Sequence, residues 1–420
     1  MSRSRRLAAL AAGVLATLLL ASCTGTSTVQ SASSAPSASA IRVGHGSLTI
    51  GTLFPLTGSA SYLGPAQADG VDAAVKDINA AGGVVGSPVT VVHDDSGDVT
   101  TQTIEASFAD LQAKRSDVII GPSSSALAER LLPKTLAARI PMISPSATSV
   151  RLSNLGDSGY LFRTVPSEAE QGSVLAQTIG GGKGSIAIIY LDDQAGQAIK
   201  GTLSLAVQRS GRALAATVPF MSTTIDVAPL IAQVKKALPD DVVFVSNFST
   251  MAQNEAVITQ LDAAGLGGAK LWLVSANTAD YSQALPAGAL AGVNGLLEGV
   301  SAGPAFQAKI AAVDPAVTDY RYAAESYDAT ILAALAAVTA GDTAGSSIAG
   351  HLRAVSEGGI KCTNFAECLG VLKTTRDIDY DGYTGAIAFD DQGNPRPAHY
   401  GLYRYDAQNR FALVGSIVAK

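Results

Sequence analysis

Charge, histidine, cysteine and tryptophan are all scarce in this chain of 420 residues. Charged residues make up 15% of it, where an average soluble chain has about 25%. There are four His, three Cys and one Trp, and aromatic residues total 5%. Low charge beside a 47% hydrophobic fraction excludes a disordered acidic protein. At ~150 residues per domain, the length suits two or three domains with sizeable cores. The 42 Gly follow no three-residue period, which excludes a collagen-like chain. The 29 Lys and Arg are spread along a chain of net charge −6. Phosphate binding needs clustered cations, so nucleic acid is not expected as a partner. So few His and Cys leave little for a metal site, and no cofactor is expected. Long apolar runs are also lacking: the longest, Leu7 to Ala21, has about 15 residues, short of the ~20 a spanning helix needs. A polytopic membrane protein is thereby excluded.

That run follows Arg3, Arg5 and Arg6 and ends in Leu20-Ala21-Ser22-Cys23. A positive start, a short apolar stretch and small residues form a secretory signal. The ending resembles a bacterial lipobox, which implies cleavage before Cys23 and lipid on its sulfur and new amino group. Ser4-Arg5-Arg6-Leu7 faintly resembles a twin-arginine signal, and the export route stays open. Residues 1–22 are expected to be a lipoprotein signal peptide. Their removal takes away three basic residues and no acid, moving the formal charge from −6 to −9. Thr24 to Gly46 is mostly Ser, Ala, Thr and Gly and cannot bury enough surface to offset ordering entropy. Residues 23–46 therefore read as a lipidated Cys and a flexible tether, holding the folded part at the outer face of the cytoplasmic membrane. Cys362 and Cys368 remain, six apart, in a chain bound for an oxidising compartment, and a disulfide between them is expected. Their spacing is not a zinc pattern.

From Leu48 onward short apolar runs alternate with amphipathic stretches. Strand-like runs lie at Leu48–Phe54, Val89–His93, Val118–Ile120, Pro141–Ser144, Ile186–Tyr190, Val242–Val245 and Leu271–Val274. Helical patterns of about a dozen residues separate them, which predicts parallel sheets covered on both faces. The fold class is α/β, doubly wound. The pattern occurs twice, restarting near Gly184, so two lobes are expected, with a ligand at the carboxyl ends of their strands. A helix from Asp319 to Ala340 follows. Thr384–Asp390 and His399–Tyr405 read as antiparallel strands joined by a turn at Asp391–Asn394.

Ile50 to Gly58, Asp69-Gly70 and Asp77 to Gly83 together resemble the opening of the leucine/isoleucine/valine-binding protein family. Matching segments follow in the family's order: His93–Ser96, Ile119–Ser125, Pro141–Thr148, Phe162–Thr164, Tyr327–Ala329 and Tyr383–Asp390. These are the solute receptors of branched-chain amino-acid-type ABC importers, with the class I periplasmic-binding-protein fold. The resemblance implies two lobes joined by a three-strand hinge: lobe one at 47–166 plus 301–399, lobe two at 167–300 plus 400–420. It also implies a small-molecule solute held between lobes that close, and ABC permease and ATPase subunits as partners.

Carried over residue by residue, the family's ligand contacts fall on Ser125, Ser146 and Thr148 in lobe one. Ser125 opens a helix whose positive end suits a carboxylate; turn-forming and capping roles are the alternative for all three. Leu63 stands where the family has an aromatic, with Tyr62 one place earlier. Ala195 replaces an expected Tyr, and Phe248 keeps an aromatic position. Where amino-acid receptors place a carboxylate for the ligand's ammonium, this chain has Ser275-Ala276-Asn277, with Asp280 the nearest acid. The expected ligand is a small polar metabolite (amino acid, amide or carboxylate), with Asn277 or Asp280 reading its polar end.

Other signals point to no chemistry. Gly156-Asp157-Ser158-Gly159 lacks the second glycine of a serine nucleophile motif and reads as a turn. Gly180 to Lys183 precedes its strand, unlike a phosphate loop. Asp377-x-Asp379-x-Asp381-Gly382 ends on Ala388 where calcium needs Glu. The tyrosines at 320, 322 and 327 read as helix packing, with Tyr327 bordering the cleft. No catalytic residue is expected. The alternatives to a transport receptor are a ligand-sensing lipoprotein and, less favoured, an exported hydrolase.

Overall fold

The computed structural model describes residues 44–299, 303–375 and 377–419, apart from the Phe248 side chain. The signal segment, Cys23 and nearly all of the tether lie outside the described residues. The first series is β1 (Thr49–Phe54), α1 (Gly64–Ala80), β2 (Thr90–Asp95), α2 (Thr103–Ala113), β3 (Val118–Ile120), α3 (Ser125–Ala138), β4 (Met142–Ser144) and β5 (Leu161–Arg163). Its five strands are parallel, in the order β2-β1-β3-β4-β5. Alternation along each strand sends side chains to two cores. Ile50, Phe54, Val118, Ile120, Ile143 and Phe162 enter one, and Leu53, Ile119, Met142 and Leu161 enter the other, beneath α2 and α3.

The second series is α4 (Gln171–Thr178), β6 (Ile186–Leu191), α5 (Gln194–Arg209), β7 (Leu214–Phe220), α6 (Ala228–Ala237), β8 (Asp241–Val245), α7 (Met251–Ala263), β9 (Leu271–Leu273) and β10 (Asn294–Glu298). Again the strands split by parity. Ala187, Ile189 and Phe244 face α6 and α7, while Ile188, Val243 and Val245 face α4 and α5.

The chain then returns through α8 (Pro304–Ala311), α9 (Ala323–Ala340), α10 (Gly345–His351), β11 (Ile360–Cys362), α11 (Phe365–Leu372) and four short strands. These are β12 (Ile378–Gly382), β13 (Gly385–Ala386), β14 (Ala388–Phe389) and β15 (Pro395–Arg396). It ends in β16 (His399–Tyr405) and β17 (Phe411–Val418), which complete a seven-stranded sheet in the order β17-β16-β10-β9-β8-β6-β7. The chain thus passes between the two sheets after Arg163, after Glu298 and before His399. Cys362 and Cys368 form a disulfide.

Two expectations are corrected here. The turn at Asp391–Asn394 joins β14 to β15, while β16 pairs antiparallel with β10 and β17 in the other sheet. Pro395 and Pro397 have no N–H to extend a ladder, so that hairpin stays short. The last long helix begins at Ala323, four residues later than its composition indicates, because Tyr322 sits in the left-handed region (φ 61°).

Among the described residues no single helix is long and apolar enough to cross a membrane. Ala323 to Ala337 of α9 are all buried, and a helix apolar all round needs such surroundings. It lies against α1 in the core that covers one face of the first sheet. Gly70 sets their spacing, since a methyl there would run into the Ala323 carbonyl oxygen and the Ser326 side chain. Alanine gains about 1 kcal/mol of helix propensity, but a backbone clash in a packed core costs about 1–3 kcal/mol. Gly70→Ala is therefore expected to be net destabilising, seen as a lowered midpoint in thermal unfolding.

Candidate ligand-binding cleft

In the first lobe the loops after β3 and β4 are tied to each other. Ser144 Oγ donates to the Pro122 carbonyl at 2.6 Å and accepts from the Ala147 N–H at 3.0 Å. Buried Gln67 of α1 accepts from Ser123 Oγ at 2.9 Å and Ser146 Oγ at 3.0 Å. Ser125 Oγ accepts from the Ser149 N–H at 3.1 Å. No side chain caps α3, which leaves its positive end to neighbouring groups. A cavity of about 270 Å³ opens beside it, lined by Leu63, Ser123, Ser124 and Asp98.

A second cavity, of about 180 Å³, lies at the carboxyl ends of the second sheet. Thr148 enters it from the first lobe. Glu168 and Gln171 come from the connection after β5, Asp193, Ala195 and Gly196 from the β6–α5 turn, and Ser246 and Asn247 from the end of β8. Ser275 and Ala276 follow β9, Glu298 ends β10, and Tyr322 precedes α9. Asp193 caps α5 by accepting from the Gly196 N–H at 2.7 Å, and its other oxygen accepts from Asn247 Nδ2 at 3.1 Å. Glu298 is only 6% exposed and accepts from Gln171 Nε2 and Ser275 Oγ. Burial, reinforced by the Glu168 charge, pushes its carboxyl up to about 8. Burial also raises Glu168, against the Val150 N–H that it accepts at 3.2 Å.

Glu298 and Tyr322 also wall a third cavity of about 460 Å³, with Asp280, Asp319, Arg321 and Glu325 around it. Arg321 is paired with Asp319 and its guanidinium lies 5.1 Å from the centre of the Tyr62 ring. Among the described residues no group of His, Cys, Asp and Glu could hold a metal ion.

The sequence-derived candidates are therefore dispersed. Thr148 and Ala195 line the cleft cavity. Asn277 is buried behind it, with Nδ2 donating to the Phe244 carbonyl at 2.9 Å and to Ser246 Oγ at 2.7 Å. Asp280 lies on the third cavity, Leu63 on the first, and Tyr62 under Arg321. Ser125 and Ser146 are held in the loop network of the first lobe. The Phe248 side chain is outside the described residues. Tyr327 does not reach the cleft cavity: it packs edge-on against Phe306 and Tyr383. Tyr322 lines that cavity instead, with a left-handed backbone (φ 61°) uncommon for an aromatic residue. Glu168, Gln171, Asp193 and Glu298 belong to no motif visible in the sequence. Of these only Asp193 carried a local signal, an acid at a strand end just before a helix.

The model of the periplasmic binding protein family matches residues 47–409. The chemotactic signal transduction system substrate-binding protein BasB of Halobacterium salinarum is 27% identical over 354 residues, covering 81% of this chain and 83% of that one. A Leu/Ile/Val-binding protein homolog 8 of Brucella abortus is 28% identical over 222 residues, about half of each chain (50% and 52%). The fold is shared with the branched-chain amino acid transporter substrate binding protein LivJ of Streptococcus pneumoniae, solved with isoleucine. That structure has a TM-score of 0.63 at 19% identity, over 89% of this chain and 99% of that one. With two parallel-sheet lobes, three connections between them and a cavity where both contribute, the chain belongs to the periplasmic binding protein family.

Proposed function

We propose that the chain is an extracytoplasmic solute receptor of an ABC importer, lipid-anchored through Cys23, that delivers a small polar ligand to permease and ATPase subunits. The observation that carries this reading is the composition of the cleft cavity. Its wall combines Thr148 from one lobe, Asp193, Ser246 and Ser275 from the other, and Glu168, Gln171 and Glu298 at the connections. A solute touching all three groups is bound best when the lobes close on it, which couples occupancy to shape. Closure gives the membrane partners a signal to read. The family is one of binding proteins, and the reading requires no catalytic step.

The test is X-ray scattering on the purified chain, titrated with amino acids, amides and carboxylates. A binding solute is expected to lower the radius of gyration; binding at unchanged shape counts against the receptor mechanism. For the anchor, Cys23→Ser is expected to move the protein from the membrane fraction to the soluble exported fraction, and retention on membranes contradicts lipidation. A signalling role is the second reading, favoured by the likeness to BasB across most of both chains. Deleting the chain separates the two: loss of solute uptake supports transport, and loss of a behavioural response with uptake intact supports sensing.

A further inference from the structure

The cleft cavity and its larger neighbour meet at Glu298 and Tyr322. Six carboxylates line the pair: Glu168, Asp193, Glu298, Asp280, Asp319 and Glu325. Among the described lining residues one cation stands against them, Arg321, already paired with Asp319. Among the described residues no Lys, Arg or His lines the cleft cavity itself. The field of Arg163 reaches both Glu168 and Glu298. Its donors are engaged away from the cavity, by Asn394 Oδ1, the Ala147 and Ser149 carbonyls and Ser153 Oγ. The bonds to Asp193 and Glu298 come from neutral amide, hydroxyl and backbone donors only. Asp193 keeps acceptor capacity, because an ionised carboxylate offers about four lone-pair sites, and Glu298 gains the same capacity on losing its proton. Clefts lined by one sign of charge concentrate the opposite sign. An anion entering here would meet like charges in a partly desolvated site.

We infer that the cleft is built for a ligand of net positive charge, a primary amine or guanidinium whose cationic end enters between Asp193, Glu168 and Glu298. This rests on the receptor reading of the same cavity and narrows its ligand class. It replaces the expectation that Asn277 or Asp280 reads the polar end. The Tyr322 ring on the shared wall gives the cation an aromatic surface, and Leu191, Ile199 and Val245 give its carbon chain an apolar one. The groups facing Glu298 are Glu168, Tyr322, Tyr400 and Arg163. Burial holds Glu298 protonated near neutral pH, so a cation arriving there displaces a proton.

The test is isothermal titration of the full chain at pH 7.5 with four probes of similar size: agmatine, arginine, leucine and glutamate. Agmatine or arginine is expected to bind at least about tenfold more tightly than leucine, with no heat from glutamate. Repeating the titration in buffers of different ionisation enthalpy is expected to show proton release. Asp193→Asn keeps a competent helix cap, and Glu298→Gln keeps the side-chain shape. Each is expected to weaken the cation about 30-fold with an unchanged circular dichroism spectrum. Tighter binding of leucine or glutamate, proton uptake, or cation affinity unmoved by both variants overturns the charge assignment and leaves the receptor reading standing. Silence from all four probes overturns the charge assignment, and the receptor reading is then decided by the scattering titration with amides and carboxylates.

Discussion

Replacing Asp328 by alanine is expected to cost at least about 3 kcal/mol of stability. The carboxylate is fully buried within α9. One oxygen accepts from the Tyr380 hydroxyl at 2.8 Å and the Tyr383 N–H at 3.1 Å; the other accepts from the Thr384 N–H at 2.8 Å and its hydroxyl at 2.7 Å. Gly382 permits this approach, since any side chain there would overlap the carboxylate. Alanine leaves two hydroxyls and the Thr384 N–H buried without an acceptor, each costing roughly 1–3 kcal/mol before relaxation. Typical folding stability is about 5–15 kcal/mol, so the variant is expected to lose a large part of it in chemical denaturation. Asp377→Ala, at an exposed acid just before the Tyr380 strand, is the control and is expected to shift stability by less than about 0.5 kcal/mol. Equal effects at the two positions would contradict the account.

The second large effect is a dependence on pH that runs opposite to that of most carboxylates. Glu298 titrates at about 8 in the fold, against 4.5 for an ordinary glutamate. Between those values the native chain holds a proton that the unfolded chain has lost. Stability therefore falls as pH rises through this window, by up to about 1.4 kcal/mol per pH unit for one group. Other titrating groups add to the total, so the measurement is the difference between the wild type and Glu298→Gln in denaturant titrations from pH 4.5 to 9. The variant is expected to lose this component of the slope and to be the more stable of the two at pH 9. A difference that stays constant across the range would show that Glu298 titrates normally.

The alternation of strands and helices was readable because the strands are short, continuous apolar runs. Val118–Ile120 and Leu271–Leu273 are buried at every position. Strands without that pattern were not legible. In β7 most residues are half-exposed or exposed at a sheet edge, and β10 reads Asn-Gly-Leu-Leu-Glu, with only two large apolar residues in five. The same property hid the site. Glu298 is a strand residue whose importance comes from Gln171 and Ser275, which lie 127 and 23 residues away in the chain. Tyr322 looked like the first turn of a helix because its neighbours suit one, and only its backbone angle sets it apart. Loop residues such as Thr148 were accessible through the motif that resembles the family. Their neighbours in space, contributed by the connections between lobes, follow no spacing rule in the sequence.

The arrangement of α9 and of β16–β17 also bears on the order in which the molecule can be completed. All five strands of the first sheet are made before residue 164, yet α9, which packs with α1 over one of its faces, begins only at Ala323. The second sheet likewise waits for its last two strands, at the end of the chain. A growing chain read from its amino terminus therefore cannot finish either lobe early. Long-range parallel pairing is intrinsically slow, because the entropy of closing long loops is lost before the contacts form. A chain exported unfolded would gain from this delay, which keeps the polypeptide linear during transit and reserves compaction for the far side.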